Sequence, residues 1–211
     1  MQDEFSLPGT RLYIDTYQVD VRLRRLGGLR REYLIESALH GDRVRRSTHH
    51  LEFPGAPAYR AASSGLMALR VSTAESLGWH HGDYLGIPVA YSPDEVVAIA
   101  VTEGNENVGL LTDQDPRTRA LKGGNTVKAT DTNRLFDDPE VSFWYLLTYS
   151  SEEGLFVELS SPSQSESGHV VGWDERILVG EVRGGATAAR IAPPSSMSPA
   201  PAIVEVHRKQ A

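Results

Sequence analysis

Carboxylates gather in the segment that follows the most apolar stretch of the chain, residues 96–101. Carboxylates at the end of a buried strand are the ligands that a Mg²⁺-dependent phosphodiesterase needs, because hard cations take oxygen ligands. A nearby lysine can stabilise the charge that develops during such a reaction. The candidate catalytic residues of a metal-dependent, nuclease-like hydrolase are Glu103, Glu106, Asp113, Asp115 and Lys122.

A solvated, turn-rich loop is the alternative interpretation of this segment. No proline–aspartate strand followed by a Glu-x-Lys triplet occurs, and the P-loop, G-x-S-x-G and G-x-G-x-x-G motifs are also missing from the sequence. The chain has no cysteine, which excludes thiolate-built metal sites and a cysteine nucleophile. The pairs His49-His50 and His80-His81 lack a third ligand at a metal-binding spacing. Outside the hydrolase hypothesis, we therefore predict no metal and no cofactor.

A second group of residues that could carry a function is a run of arginines near the N-terminus. Residues 20–46 hold eight arginines and four acids, whereas residues 137–181 hold ten acids and one arginine. The planar guanidinium group forms paired hydrogen bonds with phosphate or carboxylate oxygens, so this region is a candidate contact surface for nucleic acid or an acidic protein. The candidate binding residues are Arg22, Arg24, Arg25, Arg30, Arg31, Arg43, Arg45 and Arg46.

The arginine-rich region has a second explanation, in which it pairs with the acidic part of the same chain or is simply solvated. The net charge of −7 opposes strong nonspecific binding to DNA, and no aromatic residue interrupts the densest arginine runs. The favoured hypothesis is a non-catalytic binding or accessory protein that contacts a phosphate-rich or acidic partner through these arginines. The hydrolase is the alternative hypothesis.

The arginines lie in a segment whose periodicity favours strands. Apolar and polar residues alternate from 17 to 23, which is typical of a half-buried strand, and after Gly27-Gly28 an extended pattern resumes over 33–39. We therefore predict an N-terminal hairpin. Residues 40–60 contain two glycines and two prolines without sustained periodicity, and this composition predicts a long ordered loop.

A helix is predicted next, because apolar residues from Leu66 to Leu77 recur at helical spacing and end at Gly78. Ser63 or Ser64 can cap its start, and Leu69 and Leu77 should be buried. The remaining predicted elements are strands at 84–90 and 96–101 around a turn at 92–95, a short helix at 125–135, strands at 143–149 and 155–159, and a strand at 176–182.

This order of elements predicts an α+β fold, with a mostly antiparallel sheet and one or two helices packed on one face. Residues 1–182 should form a single domain, followed by a flexible Gly/Ala/Ser/Pro-rich tail at 183–211. The first residues lack the pattern of a signal peptide, and no run of about 18 apolar residues occurs that would suit a membrane span. A cytoplasmic protein without membrane contact is expected.

Scattered short stretches between about residues 55 and 180 carry a resemblance. They include Trp79, Ser92-Pro93-Asp94, Ala98–Val101, Gly104–Gly109, Lys122-Gly123, Glu158-Leu159-Ser160 and Gly172–Leu178. In these stretches the chain resembles hypothetical proteins of GC-rich bacteria and of their phages or mobile elements. The resemblance implies an origin of that kind, but it implies no activity and no site residues.

Overall fold

The computed structural model describes residues 9–135, 140–183 and 191–192 and shows an α+β fold. In this part of the chain the helices are α1 (Thr16–Arg25), α2 (Arg31–Ser47), α3 (Ala56–Leu77) and α4 (Gly124–Leu135). The strands are β1 (Arg11–Tyr13), β2 (His80–Tyr84), β3 (Ile87–Tyr91), β4 (Val97–Glu103), β5 (Ser142–Ser150), β6 (Gly154–Glu166), β7 (His169–Arg183) and β8 (Ile191–Ala192).

The strands form one mixed sheet in the order β1-β7-β6-β5-β4-β3-β2, and β8 pairs with β7 on the same side as β1. The pairs β1–β7 and β4–β5 are parallel, whereas the others are antiparallel. Most pairs thus follow the predicted antiparallel arrangement, but the sheet as a whole is mixed. The segment between β4 and β5 contains α4, and it returns the chain so that the carboxyl ends of these two strands lie side by side.

The predicted N-terminal hairpin is wrong, because its first strand is helix α1. Asp15 caps this helix by accepting hydrogen bonds from the backbone N–H groups of Tyr17 and Gln18 at 2.9 and 3.2 Å. Val19 and Leu23, four residues apart, are fully buried, whereas Tyr17 is 75% exposed. A seven-residue alternating run also places positions i and i+4 on one helical face, so this short pattern suits both elements.

The second predicted strand and most of the predicted loop at 40–60 are also helical. Helix α2 continues to Ser47, and α3 begins at Ala56. Gly41 does not break α2; it lies where α2 crosses α3, and a Cβ atom there would stand 2.6 Å from the carbonyl oxygen of Ala61. Pro57 lies in the first turn of α3, where its missing N–H group costs no helical hydrogen bond.

The predicted helix that ends at Gly78 is confirmed, but it is longer than expected. It begins at Ala56 rather than near Ser63 or Ser64, and Gly78 ends it in the left-handed conformation with φ of 72°. Leu69 is fully buried as predicted, whereas Leu77 is only partly buried against the same core.

The later predicted elements are confirmed in type, namely the β3–β4 and β5–β6 hairpins, helix α4 and strand β7. The predicted strand at 84–90 is divided by a turn at Leu85-Gly86, where both residues have positive φ, and β2 pairs with β3 across it. The predicted flexible tail at 183–211 lies outside the described residues, apart from Arg183 at the end of β7 and the two residues of β8.

Helices cover both faces of the sheet, so the prediction of helices on one face is wrong. Helices α1, α2 and α3 cover one face, where Val19, Leu34 and Leu69 pack with strand residues such as Ile99 and Trp144. Helix α4 and the loop at 104–123 cover the other face. There, Ala129 and Val108 pack with strand residues that include Ala100, Phe143 and Tyr145. Within the described residues, no helix is long and apolar enough to cross a membrane.

Candidate functional site

The eight candidate binding arginines lie on α1 and α2 and at the turn between these helices, and half of them pair with carboxylates of the same chain. Arg22 donates through Nε to Glu175 Oε2 at 2.7 Å, and its guanidinium lies 5.5 Å from the centre of the Trp144 ring. Arg31 is only 7% exposed; its Nε donates to Asp20 Oδ1 at 2.8 Å. These two arginines therefore hold α1 and α2 in place rather than face a partner.

Arg45 and Arg46 share one carboxylate, that of Asp42 on the preceding turn of α2. Their Nε atoms lie 3.2 and 2.6 Å from the Asp42 oxygens, and the Asp42 side chain is 10% exposed. Arg45 also donates through a terminal nitrogen to the hydroxyl of Ser150 at 2.7 Å, at the end of β5. The second pair of arginines thus connects α2 with the carboxyl end of a central strand.

The other four candidate arginines are exposed, and their side chains form no hydrogen bond or ion pair with the described residues. Arg24 and Arg25 lie in the last turn of α1, and Arg30 lies at the N-cap of α2. We name these three residues the basic turn. Arg43 lies farther along α2, at roughly 20 Å from Arg30 for a helical rise of about 1.5 Å per residue.

The basic turn is held rigidly by apolar contacts beneath it. Leu26 and Leu29 are 4% and 0% exposed, and the Trp79 indole N–H donates to the carbonyl oxygen of Gly27 at 2.9 Å. Gly27 and Gly28 have φ of 67° and 81°, and a Cβ atom on Gly27 would stand 2.8 Å from the Trp79 ring. The turn therefore needs glycine for both its conformation and its packing.

The structure does not bring the candidate hydrolase residues together. Glu103 ends β4, Glu106 and Asp113 are exposed in the loop that follows, and Asp115 pairs with Arg176 at 3.2 Å. Lys122 approaches none of these four carboxylates closely enough for an ion pair. Across residues 9–135, 140–183 and 191–192, no three His, Cys, Asp or Glu side chains form a group that could hold a metal ion.

Of the candidate residues, Glu103 and Arg45 both line a small cavity at the carboxyl ends of the parallel strands β4 and β5. Its volume of about 10 Å³ is that of a single water molecule. Ligands bind in open α/β sheets at this end of parallel strands, but this cavity leaves no space for an organic ligand. The polar residues around it are Ser37, Asp42, Arg45, Glu103, Thr148 and Ser150.

Arg176 and Glu158 form a buried pair that the sequence analysis missed. Arg176 Nε and a terminal nitrogen donate to the two Glu158 oxygens at 2.7 and 2.9 Å. Glu158 also accepts from the Gly109 N–H and the Ser160 hydroxyl, so both ends of the pair are satisfied. The isolated position of Arg176 among ten acids was the available signal in the sequence.

The electrostatic balance around Arg176 follows from its partners. Burial lowers the pKa of Arg176, but Glu158 and Asp115 more than offset this effect and hold its pKa above the ordinary value. For Asp115, burial outweighs the attraction of Arg176 and raises the pKa of the carboxyl group.

No family model, curated protein or solved structure matches this chain. The roles of these residues therefore rest on their geometry alone.

Lys122 lies in a different environment, on the face of the sheet that α4 covers. Its Nζ donates to the Thr102 hydroxyl at 2.5 Å and lies 5.7 Å from the centre of the Tyr145 ring. Burial lowers the pKa of Lys122 to about 8, and the nearby charge of Glu103 only partly opposes this shift. Burial also raises the pKa of Tyr145 to about 12, although its hydrogen bond with Thr126 acts in the opposite direction.

Within the described residues, the two histidine pairs His49-His50 and His80-His81 do not come together as a metal site. His49 and His50 are exposed in the turn between α2 and α3, with stacked rings whose centroids are 4.4 Å apart. His80 and His81 lie on the edge strand β2 rather than in a loop, and His80 Nε2 lies 3.3 Å from Glu95 Oε1. Neither pair belongs to a group of ligands suited to a metal ion.

Proposed function

We propose that this chain is a non-catalytic binding or accessory protein that contacts a phosphate-rich partner through the basic turn. The observation that carries the proposal is the exposure of Arg24, Arg25 and Arg30 at one turn, without a carboxylate partner among the described residues. Exposed guanidinium groups that are not neutralised within the chain can bind phosphate oxygens without first losing an ion pair.

The rigidity of the basic turn supports this function. Leu26, Leu29 and the Trp79–Gly27 hydrogen bond fix the backbone that carries the three arginines. A preordered surface binds more tightly than a flexible one, because less conformational freedom is lost on association. Arg43 is a fourth exposed arginine, farther along α2, and it does not belong to the basic turn.

The hydrolase hypothesis gains no comparable support. The acids on which the hydrolase hypothesis is based lie apart from one another, and Asp115 is already paired with Arg176. Lys122 contacts a threonine hydroxyl rather than a group that could hold a metal-bound phosphate. Electrostatic binding therefore remains the function that the arrangement of charges supports best.

The test is a binding titration against heparin and a short DNA duplex between about 20 and 150 mM salt, together with an acidic peptide. The variant Arg24→Ala/Arg25→Ala should weaken polyanion binding about tenfold or more at low salt. It should also reduce the slope of log K against log salt by about 2, because two phosphate contacts release fewer counterions. Preference for the peptide over both polyanions would replace the phosphate-rich partner with an acidic protein.

The matched control is Arg117→Ala/Arg119→Ala, which removes the same charge from two exposed residues of the loop at 104–123. This variant should bind heparin and DNA as the wild type does. If both double variants weaken binding equally, the interaction follows net charge and the basic turn is not the site. Absence of salt-sensitive binding by the wild type would also remove the proposal.

A further inference from the structure

The outer surface of α3 exposes more apolar side chains than any other part of the described chain. Of the nine large apolar side chains that are exposed among the described residues, five lie between positions 51 and 71. Three of these five belong to α3, where they are 52–70% exposed. We name this surface the α3 face, and its exposed residues are Tyr59, Ser63, Met67, Val71 and Ala74. A contiguous apolar surface of this kind is typical of a contact with another protein.

The α3 face is free of charge along its length. Arg70 is the only charged residue between Arg60 and Glu75 in the sequence. Its guanidinium donates to the carbonyl oxygens of Gly82 and Val89 at 3.1 and 2.7 Å, so its charge lies against the edge of the sheet. An uncharged surface about 22 Å long therefore remains between Arg60 and Glu75, for a helical rise of about 1.5 Å per residue.

The two ends of the α3 face carry opposite charges. Arg60 precedes Met67 by seven residues and Glu75 follows it by eight, so each charge lies about two turns from the centre. The exposed Glu75 side chain forms no hydrogen bond or ion pair with the described residues. Arg60 uses one terminal nitrogen for Glu52 at 2.8 Å, and its side chain is 52% exposed. Other N–H groups of this guanidinium therefore remain for a second carboxylate.

We propose that the α3 face binds a second copy of this chain, with the two α3 helices antiparallel and Met67 of each copy at the centre. A twofold axis then brings Arg60 of each copy near Glu75 of the other, and one interface contains two ion pairs. Parallel helices would instead bring like charges together. A surface with a cation at one end and an anion at the other is complementary to itself, which favours a second copy over an unrelated partner.

The interface consists of one helix from each copy, so it belongs to the small class of specific protein contacts. We expect a dissociation constant on the order of tens of micromolar. At about 1 µM the single chain dominates, and unfolding measured at that concentration reports on the monomer. The α3 face does not include the basic turn, so its test is independent of polyanion binding.

Sedimentation equilibrium of the full chain, without a polyanion and between about 1 and 500 µM, tests the proposal. The average mass should rise from 23.1 kDa toward twice that value. Met67→Glu should weaken self-association at least about tenfold, because the contact would bury two carboxylates without a cation. The matched control is Leu121→Glu, on a side chain that is 73% exposed in the loop at 104–123. This variant should associate as the wild type does.

Charge variants test the second copy and its orientation. Arg60→Glu and Glu75→Arg should each weaken self-association about tenfold, because like charges then meet at both ends of the interface. An equimolar mixture of these two variants should associate nearly as tightly as the wild type, because each end again joins opposite charges. Melting temperatures close to that of the wild type show that the variants are folded.

Three results would overturn the proposal. The first is a wild type that stays monomeric up to about 500 µM, which would leave the α3 face to a different partner or to solvent. The second is undiminished association of Met67→Glu, which would place any dimer contact elsewhere. The third is a mixture of folded Arg60→Glu and Glu75→Arg that does not restore association. The wild type and Met67→Glu decide the proposal even if a charge variant does not fold.

Discussion

The guanidinium of Arg176 on β7 binds the carboxylate of Glu158 on β6 through two hydrogen bonds of 2.7 and 2.9 Å, with the two residues 3% and 0% exposed. Through Gly109 N–H, Leu110 C=O and Asp115, the same pair holds the loop that follows β4 against the sheet. A buried ion pair of this kind fixes the loop in one geometry. If the loop moved away, each of its polar groups that now bonds to the pair would have to find a water molecule instead.

We expect Arg176→Met to lower the free energy of unfolding by about 3–5 kcal/mol, because it leaves the Glu158 carboxylate buried without its cation. Chemical denaturation at pH 7 measures the effect. Arg183→Met is the control: Arg183 pairs with Glu181 but is 65% exposed, and its loss should cost only about 0–1 kcal/mol. Similar losses in the two variants would show that the buried pair has no special role.

A double-mutant cycle with Glu158→Met and Arg176→Met tests the pair directly. The double variant should be less destabilised than the sum of the two single variants by about 1–3 kcal/mol, because it leaves neither charge unpaired. The Gly109 N–H and the Ser160 hydroxyl would still lose their acceptor, so the double variant should remain less stable than the wild type. Additive effects of the two substitutions would contradict a coupled pair.

Gly41→Ala should destabilise the protein by about 1–3 kcal/mol, although alanine is the better helix former by about 1 kcal/mol in isolation. The added Cβ would stand 2.6 Å from the Ala61 carbonyl oxygen and force α2 and α3 apart. Thermal and chemical unfolding measure the change, with Ser63→Ala on the exposed side of α3 as a near-neutral control. A stabilising Gly41→Ala would show that the crossing can relax.

Leu69→Ala should cost about 2–5 kcal/mol, since this side chain is fully buried between α3 and the sheet. Leu77→Ala should cost less, about 1–2 kcal/mol, because Leu77 is only partly buried and the site can refill with water. Met67→Ala, on a side chain that is 52% exposed, should change stability by no more than about 0.5 kcal/mol. Urea unfolding of the three variants gives the ranking, and any other order contradicts the packing of α3.

The stability of the wild type relative to Lys122→Met should depend on pH in a defined direction. Because the pKa of Lys122 is about 8 in the folded chain and 10.5 for the unperturbed side chain, the unfolded state binds the extra proton between these values. The free energy of unfolding of the wild type should therefore rise, relative to Lys122→Met, as the pH increases from about 8 to 10.5. The total gain is up to about 3 kcal/mol. A constant difference across this range would show that burial does not shift the pKa of Lys122.

Several elements could be predicted from the sequence because their signals are local. The strands at 96–101, 143–149 and 176–182 consist mainly of apolar residues and lie between turn-forming segments, and they form β4, β5 and β7 as expected. The end of α3 at Gly78 follows equally from one residue, since glycine adopts the left-handed conformation without strain. The α+β class follows from the order of these elements.

The candidate sites could be predicted only in part, because residue type does not reveal pairing. The sequence identified the exposed Arg24, Arg25 and Arg30, but it grouped them with Arg22, whose partner Glu175 lies 153 residues away. It also identified Lys122, yet as a companion of carboxylates rather than as an amine placed against Thr102 and Tyr145. Such contacts depend on which strands become neighbours in the sheet.

The strand-rich second half of the chain and the residue that ends its longest helix follow from local sequence patterns. The helical state of residues 16–47 and the position of Gly41 inside a helix depend on tertiary packing. A short amphipathic segment can satisfy either periodicity, and the surface that buries Val19 and Leu23 selects one. Likewise, glycine is required at position 41 because a Cβ atom there would stand 2.6 Å from the Ala61 carbonyl oxygen of the neighbouring helix.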